Sequence, residues 1–153
     1  MRAIVQVVDY SSVEILDTNI KNEINNGLNV LVGFTHDDTK EIVEALARKI
    51  INLRIFIDEN DKMNLSVLDT KGSILSISQF TLYGDVKKGN RPGFSDAMHP
   101  DLATEMYDYF NECLKSHGVD VQVGEFGGDM IVNINNVGPT TIILDSDIIV
   151  KKK

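Results

Sequence analysis

Hydrophobic residues fall in short, strand-length blocks over most of this chain and at helical intervals in two places. Residues 3–8 and 12–16 are rich in Val and Ile, and Tyr10-Ser11-Ser12 between them predicts a β-hairpin. Leu28 to Phe34 is an apolar run with Gly27 and Gly33 at its ends, as expected of a buried strand. Asp38-Thr39-Lys40-Glu41 has the acid-x-x-Glu spacing of a capping box, and Ile42, Val43, Leu46, Ala47 and Ile50 then recur at helical spacing. An amphipathic helix over 38–51 follows. Arg54 to Asp58 reads as a short strand, and Glu59-Asn60-Asp61-Lys62 as a polar loop.

Ser73 to Thr81 is a further strand, buried at Ile74, Leu75 and Ile77, and Gly84, Gly89, Pro92 and Gly93 mark 83–99 as loop. From Asp101 to His117, Leu102, Met106, Tyr109, Phe110, Cys113 and Leu114 share one helical face, with Gly118 ending the helix. Strands are expected at 119–123, 130–135 and 140–144. Strands and helices do not alternate regularly, so the fold class is α+β, with two main helices.

The length of 153 residues, 42% hydrophobic and 25% charged, suits one ordinary globular core without a metal or disulfide staple. Acidic side chains outnumber basic ones 23 to 15, for a net charge of −8. That balance argues against a broad nucleic-acid-binding surface but leaves room for a local basic patch. The single cysteine, Cys113, cannot form an internal disulfide, which points to a reducing, cytoplasmic setting. Gln6 and Asp9 break the first apolar run too early for a signal peptide, and no apolar window is long enough to span a membrane.

The usual catalytic constellations are missing from the pattern. His36, His99 and His117 are far apart, none has a metal-binding partner at helical spacing, and solvated or capping roles suit them better. Cys113 lies on the apolar stripe of the second helix and reads as a packing residue. Asp58-Glu59-Asn60-Asp61 lacks the glycine and terminal glutamate of a calcium loop.

Three segments remain. Ser78-Gln79-Phe80-Thr81-Leu82 delivers hydroxyls and an amide from a strand end into a loop, although those groups also suit a plain strand end. Asn136-Val137-Gly138-Pro139-Thr140-Thr141 reads first as a turn between strands. Lys87-Lys88-Gly89-Asn90-Arg91-Pro92-Gly93-Phe94 gathers three cations and an aromatic, either a solvated loop or a phosphate-contacting patch.

Together these segments resemble the D-aminoacyl-tRNA deacylases, the D-tyrosyl-tRNA(Tyr) deacylase family. The likeness spans nearly the whole chain. It includes Met1 to Gln6, Arg54-Ile55-Phe56, Lys62-Met63-Asn64-Leu65, Ser78 to Leu82, Arg91 to Ser95, Gly124 to Met130, and Asn136 to Thr141. The resemblance implies a single deacylase domain over 1–153, with a mostly antiparallel, barrel-like sheet, working as a homodimer without metal or organic cofactor. The substrate would be the tRNA 3′ end carrying a D-amino acid, or glycine mischarged on tRNA-Ala, and the product the free amino acid.

By the same resemblance, Ser78, Gln79, Phe80 and Thr81 are the catalytic segment. Backbone N–H groups around Ser78, Gln79 and Phe80 would orient the substrate and hold the oxyanion, while the tRNA 2′-OH activates the water and Thr81 is the rival nucleophile. Gly138 and Pro139, joined by a cis bond and inserted from the partner subunit, would be the chiral gate. Phe126 and Met130 would line the substrate pocket. Lys87, Lys88, Arg91 and Phe94 are the residues expected to contact the tRNA. Two positions depart from the family pattern: Val7 replaces an arginine associated with anchoring the gate, and Val137 and Thr140 replace the Asp and Val that flank the Gly-Pro pair. A deacylase subgroup tuned to L-alanine and a non-enzymatic dimeric binding module stay open as alternatives at this point.

Overall fold

The computed structural model describes residues 1–150. Its strands are β1 (Arg2–Ile15), β2 (Ile20–Ile24), β3 (Gly27–Gly33), β4 (Phe56–Ile57), β5 (Met63–Leu65), β6 (Ser73–Ser78), β7 (Asp120–Val123) and β8 (Met130–Asp145). Helix α1 (Lys40–Asn52) follows β3, a 3-10 turn (Phe80–Tyr83) follows β6, α2 (Pro100–Ser116) precedes β7, and the short α3 (Ser146–Ile149) follows β8. The class is α+β, as expected.

One six-stranded sheet organises the chain. The first half of β1 pairs antiparallel with β3 and the second half with β2, while β8 runs antiparallel along the other edge of β1. Strands β3, β6 and β7 continue the sheet in parallel. The Asn22 amide on β2 donates to the Val123 carbonyl on β7 at 2.7 Å. That bond ties the two ends of the sheet and makes it a nearly closed barrel.

Strands β3 and β6 are covered on both faces, which is why they read as almost continuous apolar runs. Leu28, Val30, Val32 and Ile74 face the helices, where they pack with Val43, Leu46, Ile50, Phe110 and Leu114. Leu75 and Ile77 face the barrel interior with Val8, Val13 and Ile24. A polar chain crosses that interior: the Asn29 amide donates to Ser11 Oγ at 3.0 Å, and the Ser11 hydroxyl donates to the Asn133 carbonyl at 2.8 Å.

Several boundaries differ from the sequence expectation, each for a local reason. Tyr10-Ser11-Ser12 is no turn; β1 runs unbroken because Ser11 and Ser12 meet Asn133 across the strand. The real turn is at 16–19, where Asn19 takes a positive φ of 54°. Helix α1 is capped by Thr39, whose hydroxyl accepts from the Ile42 N–H, rather than by Asp38. The expected strand at 54–58 shrinks to β4 and gains a partner, β5, that the pattern did not indicate. Strand β6 stops at Ser78, and the residues expected to extend it enter the 3-10 turn.

In α2, Leu102 is exposed, while Ala103, Tyr107 and Asn111 are buried instead. Tyr107 enters the core because its hydroxyl donates to the Ser76 carbonyl at 2.7 Å. The two strands expected at 130–135 and 140–144 are one strand, β8, with Gly138-Pro139 inside it.

Asp38 has a different task from capping. Its carboxylate accepts from the N-terminal ammonium of Met1 at 2.6 Å and from the Thr35 N–H at 2.8 Å, with both side chains of the ion pair almost fully buried. Removing one partner of such a pair leaves the other charge buried and uncompensated. Asp38→Ala is therefore expected to lower unfolding free energy by about 3 kcal/mol. Asp37→Ala, on the exposed neighbour, should cost no more than about 0.5 kcal/mol. Urea midpoints of the two variants compare them directly.

Candidate active site

The centre of the site is the junction where β6 leaves the sheet. The Gln79 N–H makes the last rung, donating to the Val32 carbonyl at 2.7 Å. The chain then tightens into the 3-10 turn, closed by Leu82 N–H to Gln79 O at 3.3 Å and Gly84 N–H to Thr81 O at 3.0 Å. Phe80 and Thr81 open this turn, and N–H groups at a helix start have no acceptor within it. Gly33 makes the junction possible, since a Cβ there would stand 2.7 Å from the Gln79 carbonyl oxygen.

The Thr81 hydroxyl donates to Gln79 Oε1 at 2.7 Å. An amide oxygen is not a base, so this contact orients the threonine without activating it. Gln79 also departs from one expectation. Its N–H is spent on the sheet, whereas those of Phe80 and Thr81 stand at the start of the turn.

A cleft of about 460 Å³ opens beside this junction, lined by Ser78, Phe80, Phe94 and Phe126 together with Phe34, His36, Met98 and His99. The Phe80 and Phe94 rings meet edge to face with centroids 5.0 Å apart. Phe126 rests on Tyr107, centroid to centroid 6.1 Å. Burial pushes the Tyr107 phenol upward, keeping it a neutral donor to Ser76.

Phe126 is carried by the turn between β7 and β8. The Glu125 N–H donates to the Met130 sulfur at 3.3 Å, and Gly127 takes a positive φ of 72°. Met130 thus holds the turn through its sulfur and is not among the residues that line the cleft. Gly124 leaves room for that sulfur, which a Cβ would meet at 2.6 Å.

The basic loop adjoins the cleft through Phe94. Mutual backbone bonds between Asp85 and Gly93, at 2.7 and 2.8 Å, close it at its base. Lys87, Lys88 and Arg91 project from it, exposed and without an ion pair among the described residues.

The sequence pattern did not single out Phe34, Met98, His36 or His99 as cleft residues. Met98 N–H donates to Phe34 O at 3.0 Å, and the His36 ring nitrogen lies 2.6 Å from Ser95 O, so long-range contacts bring them in. His99 caps α2, its Nδ1 accepting from the Asp101 N–H, a capping role of the kind expected. Cys113 packs half-buried against the core, and burial raises its thiol pKa. Among the described residues no group of three or more His, Cys, Asp or Glu side chains could hold a metal ion.

Gly138 and Pro139 lie elsewhere. Their peptide bond is cis, Gly138 has φ of 113°, and both residues are exposed. They line a second cleft of about 600 Å³ with Val7, Val8, Ile55, Phe56 and Met63. No residue lines both clefts.

The profile of D-Tyr-tRNA(Tyr) deacylase matches residues 4–145. The chain belongs to the D-Tyr-tRNA(Tyr) deacylase family. It is 56% identical to the D-aminoacyl-tRNA deacylase of Clostridium beijerinckii over 95% of this chain and 97% of that protein. Against the enzyme of the same name from Staphylococcus carnosus the figure is 54%, covering 95% and 96%. The solved structure of a protein described as c-Myc DNA Unwinding Element Binding Protein superposes with a TM-score of 0.87 at 40% identity, covering 95% of this chain and 98% of that one. A probable eukaryotic D-amino acid tRNA deacylase shares the fold, with a TM-score of 0.82 at 20% identity over 94% and 97% of the two chains.

Within this family fold, the Gly33 contact makes a local prediction. Gly33→Ala forces backbone against backbone at the junction. It should destabilise the protein by about 2 kcal/mol, read as a lowered urea midpoint.

Proposed function

We propose that the protein hydrolyses the ester of D-aminoacyl-tRNA, and of glycine mischarged on tRNA-Ala, releasing the amino acid and the tRNA. The observation that carries this reading is the junction itself. Two N–H groups open a turn at the mouth of a cleft walled by Phe80, Phe94 and Phe126. Such a cleft suits a terminal nucleoside, with an aromatic face for its base and donors for the charge that develops on the ester carbonyl. Membership of the deacylase family supplies the reaction class.

The Gly138-Pro139 pair is absent from the cleft of its own chain, so a second copy is the source of the gate. Strand β8 supports a homodimer: one of its edges pairs with β1, and among the described residues no strand pairs with the other. Along its length it exposes Ile131, Val137 and Ile143, the last to 72%. A backbone gate excludes an L side chain by crowding and has nothing to exclude when the side chain is hydrogen, which is why glycine passes. The cytoplasm, where aminoacyl-tRNA is used, is the matching compartment; among the described residues no helix is long and apolar enough to cross a membrane.

Catalysis is assigned to the substrate's 2′-OH, with Phe80 and Thr81 N–H groups receiving the oxyanion. With purified protein, D-tyrosyl-tRNA should lose its ester far faster than L-tyrosyl-tRNA, and comparable rates would overturn the gate. Thr81→Val should retain most activity, whereas a tRNA ending in 2′-deoxyadenosine should react much more slowly. A loss of about four orders of magnitude in Thr81→Val would restore the nucleophile reading.

The grip on RNA should be small. With Lys87, Lys88 and Arg91 as roughly three phosphate contacts to a single strand, log K should fall with log salt at a slope near −2. Binding titrations between low and physiological salt measure it, and a slope several times steeper would reveal a larger basic surface.

A further inference from the structure

Between Gln6, which pairs with Thr141, and Val8, which pairs with Asn136, β1 contributes the single residue Val7. Across the same interval β8 contributes four residues, Val137, Gly138, Pro139 and Thr140. The surplus is extruded from the ladder, and with it go the exposed Gly138 and Pro139. Val7, the residue opposite, is aliphatic and has no side-chain donor or acceptor with which to hold them.

The side-chain bonds that close the extrusion pass through Asn136. Its Oδ1 accepts from the Thr140 N–H at 3.2 Å, on the far side of the Gly-Pro pair. Its Nδ2 donates to Thr141 Oγ1 at 2.9 Å. Because a backbone N–H can only donate, the amide has one workable orientation. Thr141 Oγ1 also accepts from Gln6 Nε2 at 3.2 Å, using its second lone pair and tying the clasp to β1. The Thr140 hydroxyl fits under the turn, where a Cβ on Gly138 would come within 2.7 Å of it.

We infer that Asn136, through Thr140 N–H and Thr141 Oγ1, is the positioning residue that fixes the direction of the Gly138-Pro139 turn and hence its discrimination between D and L substrates. Asn136 reaches no reacting atom on this account. It acts by spanning the base of the extrusion. The discrimination it controls rests on the gate reading above.

Asn136→Leu keeps the side-chain size and removes both bonds, and Thr141→Val removes one anchor. Thr141→Ser keeps the hydroxyl and is the conservative rescue. Steady-state hydrolysis of D- and L-tyrosyl-tRNA is measured for each folded variant, together with hydrogen exchange of the Thr140 amide. Asn136→Leu and Thr141→Val should raise the L-to-D ratio of kcat/KM about tenfold, and Asn136→Leu should lower Thr140 protection about tenfold. Thr141→Ser should leave both near the parent values. An Asn136→Leu protein that keeps the ratio and the protection within about twofold overturns the inference.

The two measurements fail separately. If the parent itself shows no preference for D-tyrosyl-tRNA, the gate reading falls. Thr140 exchange then decides the clasp alone: lost protection in Asn136→Leu supports it, and retained protection removes it. Should Asn136→Leu not fold, Thr141→Val against Thr141→Ser makes the same comparison.

Discussion

Strand β1 is hydrogen-bonded on both edges over nearly its whole length, by β8 on one side and by β3 and then β2 on the other. Almost everything else hangs from that double pairing. Its register with β3 sets the parallel addition of β6, and the end of β6 is where Ser78 leaves the sheet and the 3-10 turn begins. Its register with β8 fixes where surplus residues must leave the ladder, and those residues are Val137 to Thr140. A one-residue slip would turn each strand's buried set outward. The buried ion pair of Met1 with Asp38 and the bond from Ser146 N–H to Met1 O lock both strands at one end.

How much of this could be read from the chain depended on whether one period dominated locally. Helix α1 was legible because Val43, Leu46, Ala47 and Ile50 follow one helical stripe, and all four are buried. Strand β3 was legible because its apolar run is covered on both faces. The long strands were not, because Tyr10-Ser11-Ser12 and Gly138-Pro139 look like turn chemistry. The hydroxyls of Ser11 and Ser12 are met across the strand by Asn133, more than a hundred positions away. Local pattern contains no trace of such a partner.

The same limit applies to the cleft. Ser78, Phe80, Phe94 and Phe126 were marked in the chain by recognisable motifs, and the topology brings them to one cleft. Met130 was marked too, but a sulfur that accepts the Glu125 N–H is occupied with holding the turn. Phe34 and Met98 went unremarked because each looks like ordinary core until the Met98–Phe34 backbone bond places them together. The net charge of −8 falls into place once the substrate is confined to a few terminal nucleotides. On the proposed reading three cations on one loop supply the local attraction, while the acidic remainder of the surface opposes a wider grip and so favours product release.

The absence of an activated nucleophile is the feature that shapes the proposed chemistry most. Thr81 donates its proton to an amide oxygen, so the bond that orients it also occupies the proton a base would have to take. What the chain offers in place of a triad is a set of fixed dipoles at the mouth of an apolar cleft, where electrostatic stabilisation is stronger than in water. Dipoles of that kind stabilise negative charge wherever it forms but generate none. On the proposed reading the proton from the attacking water goes to the substrate's vicinal 2′-hydroxyl, which passes its own proton to the leaving 3′ oxygen. The proposed selectivity has the same character. A gate made of backbone presents no side chain to fit a particular amino acid, so it discriminates by handedness and by size at the α-carbon alone. Such a gate is only as selective as its position is fixed, and a turn extruded from a sheet opposite an aliphatic residue needs its fixing from within its own strand.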